Sequence, residues 1–160
     1  DRENGIKLLK EMGIENKKFI CLVVRDDNYL NKKFPNEIWD YHNHRDFNID
    51  DFNIDINLII SRGYYVIRMG VVTEKKIETK NNKIIDYSNS KYRSDFMDFY
   101  LGINCEFCIT TGSGFDSIPF TFRRPLLYVN ISPLGILNAS SKRYLFIPKH
   151  HYCEKEKHHL

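Results

Sequence analysis

Apolar residues recur along this chain with two different spacings. In residues 3–12, "ENGIKLLKEM", Ile6, Leu9 and Met12 fall at helical intervals, and Gly13 follows as a natural C′ residue. In residues 18–24, "KFICLVV", the apolar run is continuous and rich in β-branched residues, which predicts a strand buried on both faces. Residues 25–48 then read as one long polar loop. It holds Trp39, Tyr41, His42, His44 and Arg45, too aromatic for plain disorder, and loops of that length usually carry function. A helix is predicted over roughly 49–61, with Phe52, Ile56, Ile59 and Ile60 on one face, Asp50 and Asp51 at its positive end and Gly63 beyond its last turn. The pentad repeated in "DFNIDDFNID" is too short for a solenoid.

The second half repeats these patterns. "YYVIRMG" (64–70) and "KIIDY" (83–87) read as strands around a solvated, lysine-rich excursion. Ser94 and Asp95 read as the cap and first-turn acid of a helix, "DFMDFYLG", closed by Gly102. A strand over 106–110, a Gly-Ser-Gly turn, a short helix to about residue 122 and a strand over 126–130 follow. "RYLFIPK" (143–149) reads as an edge element or a return helix. Buried strands alternating with amphipathic helices argue for a three-layer α/β domain over residues 1–148, with a mostly parallel sheet of about five strands. Residues 149–160 read as a charged, disordered tail.

Composition narrows the partners. The 160 residues are 42% hydrophobic and 28% charged, which suits a soluble globular domain. A net charge of +3 makes no electrostatic case for nucleic acid. No run approaches the length of a membrane-spanning helix. The chain starts at Asp1 without a signal-like segment, so a fragment of a larger protein is expected. Four cysteines make no disulfide framework in a chain of this length. Cys105 and Cys108 form a C-x-x-C, but only His150, His151 and Cys153 stand near as further ligands, so reduced, buried thiols are expected rather than zinc.

A parallel sheet brings every strand's carboxyl end to one rim, where ligands of such sheets bind. That rim collects "RDDNY" (25–29), "RMG" (68–70), "DYSNS" (86–90), "TTGSG" (110–114) and "NISP" (130–133). Arginines grip phosphate oxygens, and N–H groups at a helix start add positive charge. Gly112 and Gly114 allow positive φ and close approach of a ligand, and Ser113 either caps the helix or donates to a phosphate. A tight capped strand-to-helix turn is the plainer alternative. Pro119 is unusual inside so short a helix. The frame G-x-S-x-G is missing, as are GxxxxGK[ST] and G-x-G-x-x-G, which disfavours hydrolase, NTPase and dehydrogenase readings. His42 and His44 are acid–base candidates only by their titration range.

Taken together, "LVVRDDNYL", "YHNHRDFNI", "GYYVIRMG", "IIDYSNSKYRSDFMDFYLG", "CEFCITTGSGFDSIPFTFRRPLLYVN" and "LFIPK" resemble a group of bacterial glycosyltransferases encoded in surface-polysaccharide clusters. The resemblance runs through nearly the whole chain. It is more distantly similar to the donor-binding half of fucosyltransferase-like GT-B enzymes. Where those carry H-x-R, this chain has Val23-Val24-Arg25, so Arg25 carries over as a pyrophosphate ligand and no catalytic histidine does.

The resemblance implies a Rossmann-like donor domain that works without a bound metal or other cofactor. A second domain outside this chain would hold the glycan acceptor. The diphosphate of a nucleotide-diphosphate sugar would be held by Arg25 and the turn Thr111, Gly112, Ser113 and Gly114, with Arg68 read from the rim as a further substrate-binding residue. Asp86, Tyr87 and Ser88 would line the base or ribose pocket, Arg93, Ser94 and Asp95 would flank phosphates or sugar, and His42 and Arg45 would face the acceptor. No residue is assigned as the catalytic base. A cytoplasmic location, extending to the inner face of the membrane, is expected. A non-catalytic nucleotide- or phosphosugar-binding module and a UDP-sugar epimerase are the alternatives.

Overall fold

The structure is a computed structural model that describes residues 1–25, 36, 38, 47–71, 76–77, 79–137, 140–150, 152–153 and 155–159. Helix α1 spans Arg2–Glu11, and β1, Phe19–Val23, is buried at all five positions. A 3-10 turn, Ile49–Phe52, leads into α2, Asn53–Ser61. Strands β2, Tyr65–Met69, and β3, Ile84–Ile85, come next. Helix α3 spans Asp95–Asn104, β4 is Cys108–Thr110, and a 3-10 turn, Gly114–Asp116, runs into α4, Ser117–Thr121. Strands β5, Leu126–Ile131, and β6, Tyr144–Pro148, complete a six-stranded sheet. Two-residue strands β7, Tyr152–Cys153, and β8, His158–His159, pair antiparallel within the charged tail.

All pairings in the main sheet are parallel, in the order β3-β2-β1-β4-β5-β6. This is the doubly wound Rossmann-like order, which reverses between β1 and β4. Alternation along β1 supplies both cores. Phe19, Cys21 and Val23 face the side carrying Leu8, Leu9, Met97, Leu101 and Phe120, from α1, α3 and α4. Ile20 and Leu22 face Ile56, Ile59 and Ile60 of α2. Burying each such side chain stabilises the fold by about 1.5–3 kcal/mol. The result is a three-layer α/β domain, with six strands where the sequence predicts about five. The sixth is 144–148, which joins β5 in parallel as an edge strand.

Two helices end as their sequences predict. After α1 the Gly13 N–H donates to Lys10 O at 3.0 Å and Ile14 N–H to Leu9 O at 2.9 Å, with Gly13 at φ +79°. After α2, Gly63 at φ +90° repeats the arrangement through Ile60 and Ile59. Both are paired closures of orphan carbonyls around a left-handed residue. The expectation that Gly102 closes α3 is corrected: the helix runs on to Asn104, and Gly102 is buried inside it. A Cβ there would meet Ile118 Cγ2 at 2.7 Å, so this glycine serves the close packing of α3 against α4. Strand β3 is also shorter than its apolar pattern suggests, because the chain leaves it at Asp86 for a 3-10 turn, Tyr87–Asn89.

Gly5 brings α1 onto α3 in the same way, since a Cβ on it would overlap the Tyr100 ring. Overpacking of this kind costs about 1–3 kcal/mol. Gly5→Ala is therefore expected to lower the urea midpoint by that margin despite alanine's better helix propensity. An unchanged or raised midpoint would contradict the packing.

Candidate functional site at the strand-order reversal

Strands β1 and β4 leave the sheet side by side. Their last matched pair is Val23 with Thr110. Beyond it the ladder continues by two further bonds, Thr111 N–H to Val23 O at 3.1 Å and Arg25 N–H to Thr111 Oγ1 at 2.9 Å. The second replaces a backbone acceptor with a hydroxyl, so the chain can turn away at Gly112 while Arg25 stays anchored. Arg25 O accepts from Phe47 N–H at 3.0 Å.

The turn is organised by a residue the sequence reading did not single out. Asp116 is buried, and its carboxylate accepts from Thr110 Oγ1 at 2.6 Å, Ser113 N–H at 2.8 Å and Ser113 Oγ at 3.4 Å. Thr110 Oγ1 in turn accepts from Gly112 N–H at 3.0 Å, with Gly112 at φ +87°. Bonds to a carboxylate are each worth about 1.5–3 kcal/mol, so this hub fixes the turn firmly. The signal was present as Ser113-x-x-Asp116, the spacing of a capping box. Pro119 falls in the first turn of α4, where its missing N–H matters little.

This network decides which donors remain open. The N–H groups of Gly112 and Ser113 are taken within the turn. Among the described residues, no acceptor engages the N–H of Gly114 or Phe115. A Cβ built on Gly114 would meet nothing within 4 Å, so the chain is open there. The crevice thus joins the Arg25 backbone to a turn whose next two N–H groups, at the start of a helical segment, are open.

The other expected site residues have different surroundings. Arg68 lies inside β2, level with Leu22, and is 2% exposed. Its guanidinium faces the Asp86 carboxylate at 3.9 Å. Asp86 also accepts from Ser88 Oγ at 2.7 Å, Asn89 Nδ2 at 2.9 Å and Ile77 N–H at 3.0 Å, which folds the turn after β3. Tyr87 is fully buried in the core. Its hydroxyl donates to Asp98 Oδ1 at 2.7 Å and accepts from Ser94 N–H at 3.0 Å, joining that turn to the start of α3. Ser94 caps α3 through Met97 N–H at 3.2 Å, and Arg93 pairs with Asp98 at 3.3 Å and Asp95 at 3.5 Å. These residues form a second, internally bonded cluster under β3 and α3. His42 and Arg45 lie outside the described residues.

Three thiols share the core: Cys21 stands opposite Cys108 in register, and Cys105 follows α3. Burial pushes the Cys21 and Cys108 thiols up. The Cys105 thiol is held below its ordinary value, first by the bond from Cys21 and, against its burial, by Arg124. Among the described residues no group of three or more His, Cys, Asp or Glu side chains is arranged to hold a metal ion. No helix of the described residues is long and apolar enough to cross a membrane. No protein family, curated protein or solved structure matches the chain.

The Tyr87 contact carries a pH signature. Burial, and then the Asp98 carboxylate, push its phenol well above the ordinary value, against the bond with Ser94. A raised folded pKa contributes stability that is fully present below the unfolded value of about 10 and is lost as pH rises beyond it. The urea stability of the wild type should therefore fall above about pH 10, and Tyr87→Phe should make that fall shallower by up to about 1.4 kcal/mol per pH unit. Identical alkaline slopes in the two proteins would refute the buried phenol.

Proposed function

We propose that this domain seats the diphosphate of a nucleotide-sugar at the crevice between β1 and β4, as the donor half of a metal-independent, GT-B-type glycosyltransferase of polysaccharide synthesis. The observation that carries the reading is the Arg25 N–H to Thr111 Oγ1 bond at 2.9 Å, which ties the arginine after β1 to the glycine turn after β4. Doubly wound sheets bind ligands where their strand order reverses, and this bond lies at that reversal. The resemblance to bacterial glycosyltransferases of surface-polysaccharide clusters names the same two segments.

The chemistry follows from what glycosyl transfer asks of its donor site. As the bond from the sugar's anomeric carbon to the phosphate oxygen breaks, negative charge collects on the departing nucleoside diphosphate. A guanidinium and fixed N–H donors aimed at those oxygens stabilise that charge without a metal. Arg25 supplies the cation, and Gly114 and Phe115 supply the open donors. Asp116 sets the turn in place before the ligand arrives, so little ordering remains to oppose binding. Arg68, Asp86, Tyr87 and Ser88 act here as supports of the sheet edge. The acceptor belongs to a second domain.

UDP or GDP at roughly ten times its Kd should raise the melting temperature by about 3–5 °C. Arg25→Ala should abolish the shift. No shift with any nucleotide at millimolar concentration would reject a donor site in this chain.

A further inference from the structure

The amino-terminal rim of the sheet, opposite the proposed donor crevice, has a charge pattern of its own. Five of the six strands are entered through a lysine or arginine: Lys18 before β1, Arg62 before β2, Lys83 before β3, Arg123 before β5, and Lys142 with Arg143 before β6. Only β4 is entered past an acid, Glu106. Glu11 at the end of α1 and Glu15 before β1 share this end, where Lys10 pairs with Glu15 at 3.3 Å, so the bases outnumber the acids there, whereas Asp50, Asp95, Asp98 and Asp116 stand at the other end, where helices begin. A net charge of +3 therefore conceals a separation of charge along the strand direction.

Internal bonding does not account for the basic rim. Arg124 donates to Ile103 O in the last turn of α3, and Arg143 Nη1 donates to Arg123 O at 3.4 Å, which is ordinary service to carbonyl ends. Among the described residues, none of the six bases pairs with a carboxylate, and the side chains of Lys18, Arg62, Lys83, Arg123 and Lys142 donate no hydrogen bond. Like charges gathered in this way repel one another and weaken the fold unless an anion meets them.

We propose that this rim docks on the headgroups of an anionic phospholipid bilayer. Six strands about 4.8 Å apart spread the bases over roughly 24 Å, too wide for one phosphate and suited to a plane of many. Apolar side chains stand among the bases. Phe122, 48% exposed, precedes Arg123, and Leu145, 63% exposed, follows Arg143 within β6. Exposed apolar groups between cations can enter the headgroup layer while the cations meet phosphate. Docked this way, the crevice between β1 and β4 faces away from the bilayer. The inference rests on charge placement and does not depend on the glycosyltransferase reading.

The test is co-sedimentation of the chain with vesicles of phosphatidylcholine alone or mixed with phosphatidylglycerol. Binding is expected only to the mixed vesicles and should be lost as salt is raised. The triple variant Lys18→Gln, Arg123→Gln, Lys142→Gln should bind about a hundredfold more weakly, roughly fivefold for each base removed near the surface. The triple variant Lys7→Gln, Lys76→Gln, Lys91→Gln loses the same net charge elsewhere and should bind within about threefold of wild type. Equal losses in the two triples, no binding to mixed vesicles at low salt, or tighter binding to duplex DNA than to these vesicles would each overturn the proposal.

Discussion

Strand β1 pairs in parallel with β2 on one side and β4 on the other, and the rest of the structure depends on that double pairing. It forces every residue of Phe19–Val23 into the interior, so the strand has to be apolar on both faces. It makes the chain return from β3 across the sheet before it builds the second half. That return places the exits of β1 and β4 next to each other, with no strand between them to close the gap. The crevice follows from how the sheet is wound.

What fills the crevice depends on one buried acid. Asp116 draws Thr110 and Ser113 into a closed set of bonds, and Thr110 holds Gly112. A carboxylate at the start of a helical segment does locally what a bound phosphate does elsewhere, by accepting N–H groups that have no other partner. The turn is therefore stable without a ligand. Its open donors are the next two N–H groups, those of Gly114 and Phe115, in the turn to which Arg25 is anchored through Thr111. Preorganisation of this sort suits a site that meets charge developing on a leaving group.

Much of this was legible in the residues, for identifiable reasons. Continuous runs such as "FICLV" and helical spacings closed by Gly13 and Gly63 are local signals, and the structure follows them. Arg25 and the glycine turn could be assigned to one rim because parallel sheets leave few topologies open. Side-chain partners reaching across the fold could not be read. Tyr87 looked like a rim residue by its place after a strand, yet the turn made by Asp86 rotates it into the core against Asp98. Arg68 looked like an exposed grip, yet it sits one residue short of its strand's end and faces Asp86. Gly102 looked like a helix stop because helix ends and tight helix crossings select the same residue.

The central claim is that a nucleoside diphosphate sits on the turn after β4. Amide hydrogen exchange, followed with and without UDP or GDP, tests it most directly. The account predicts slowed exchange at Gly114 and Phe115, together with Arg25. Protection confined to the turn after β3, around Asp86 and Asn89, or no protection at Gly114 and Phe115 when the nucleotide is bound, would contradict it.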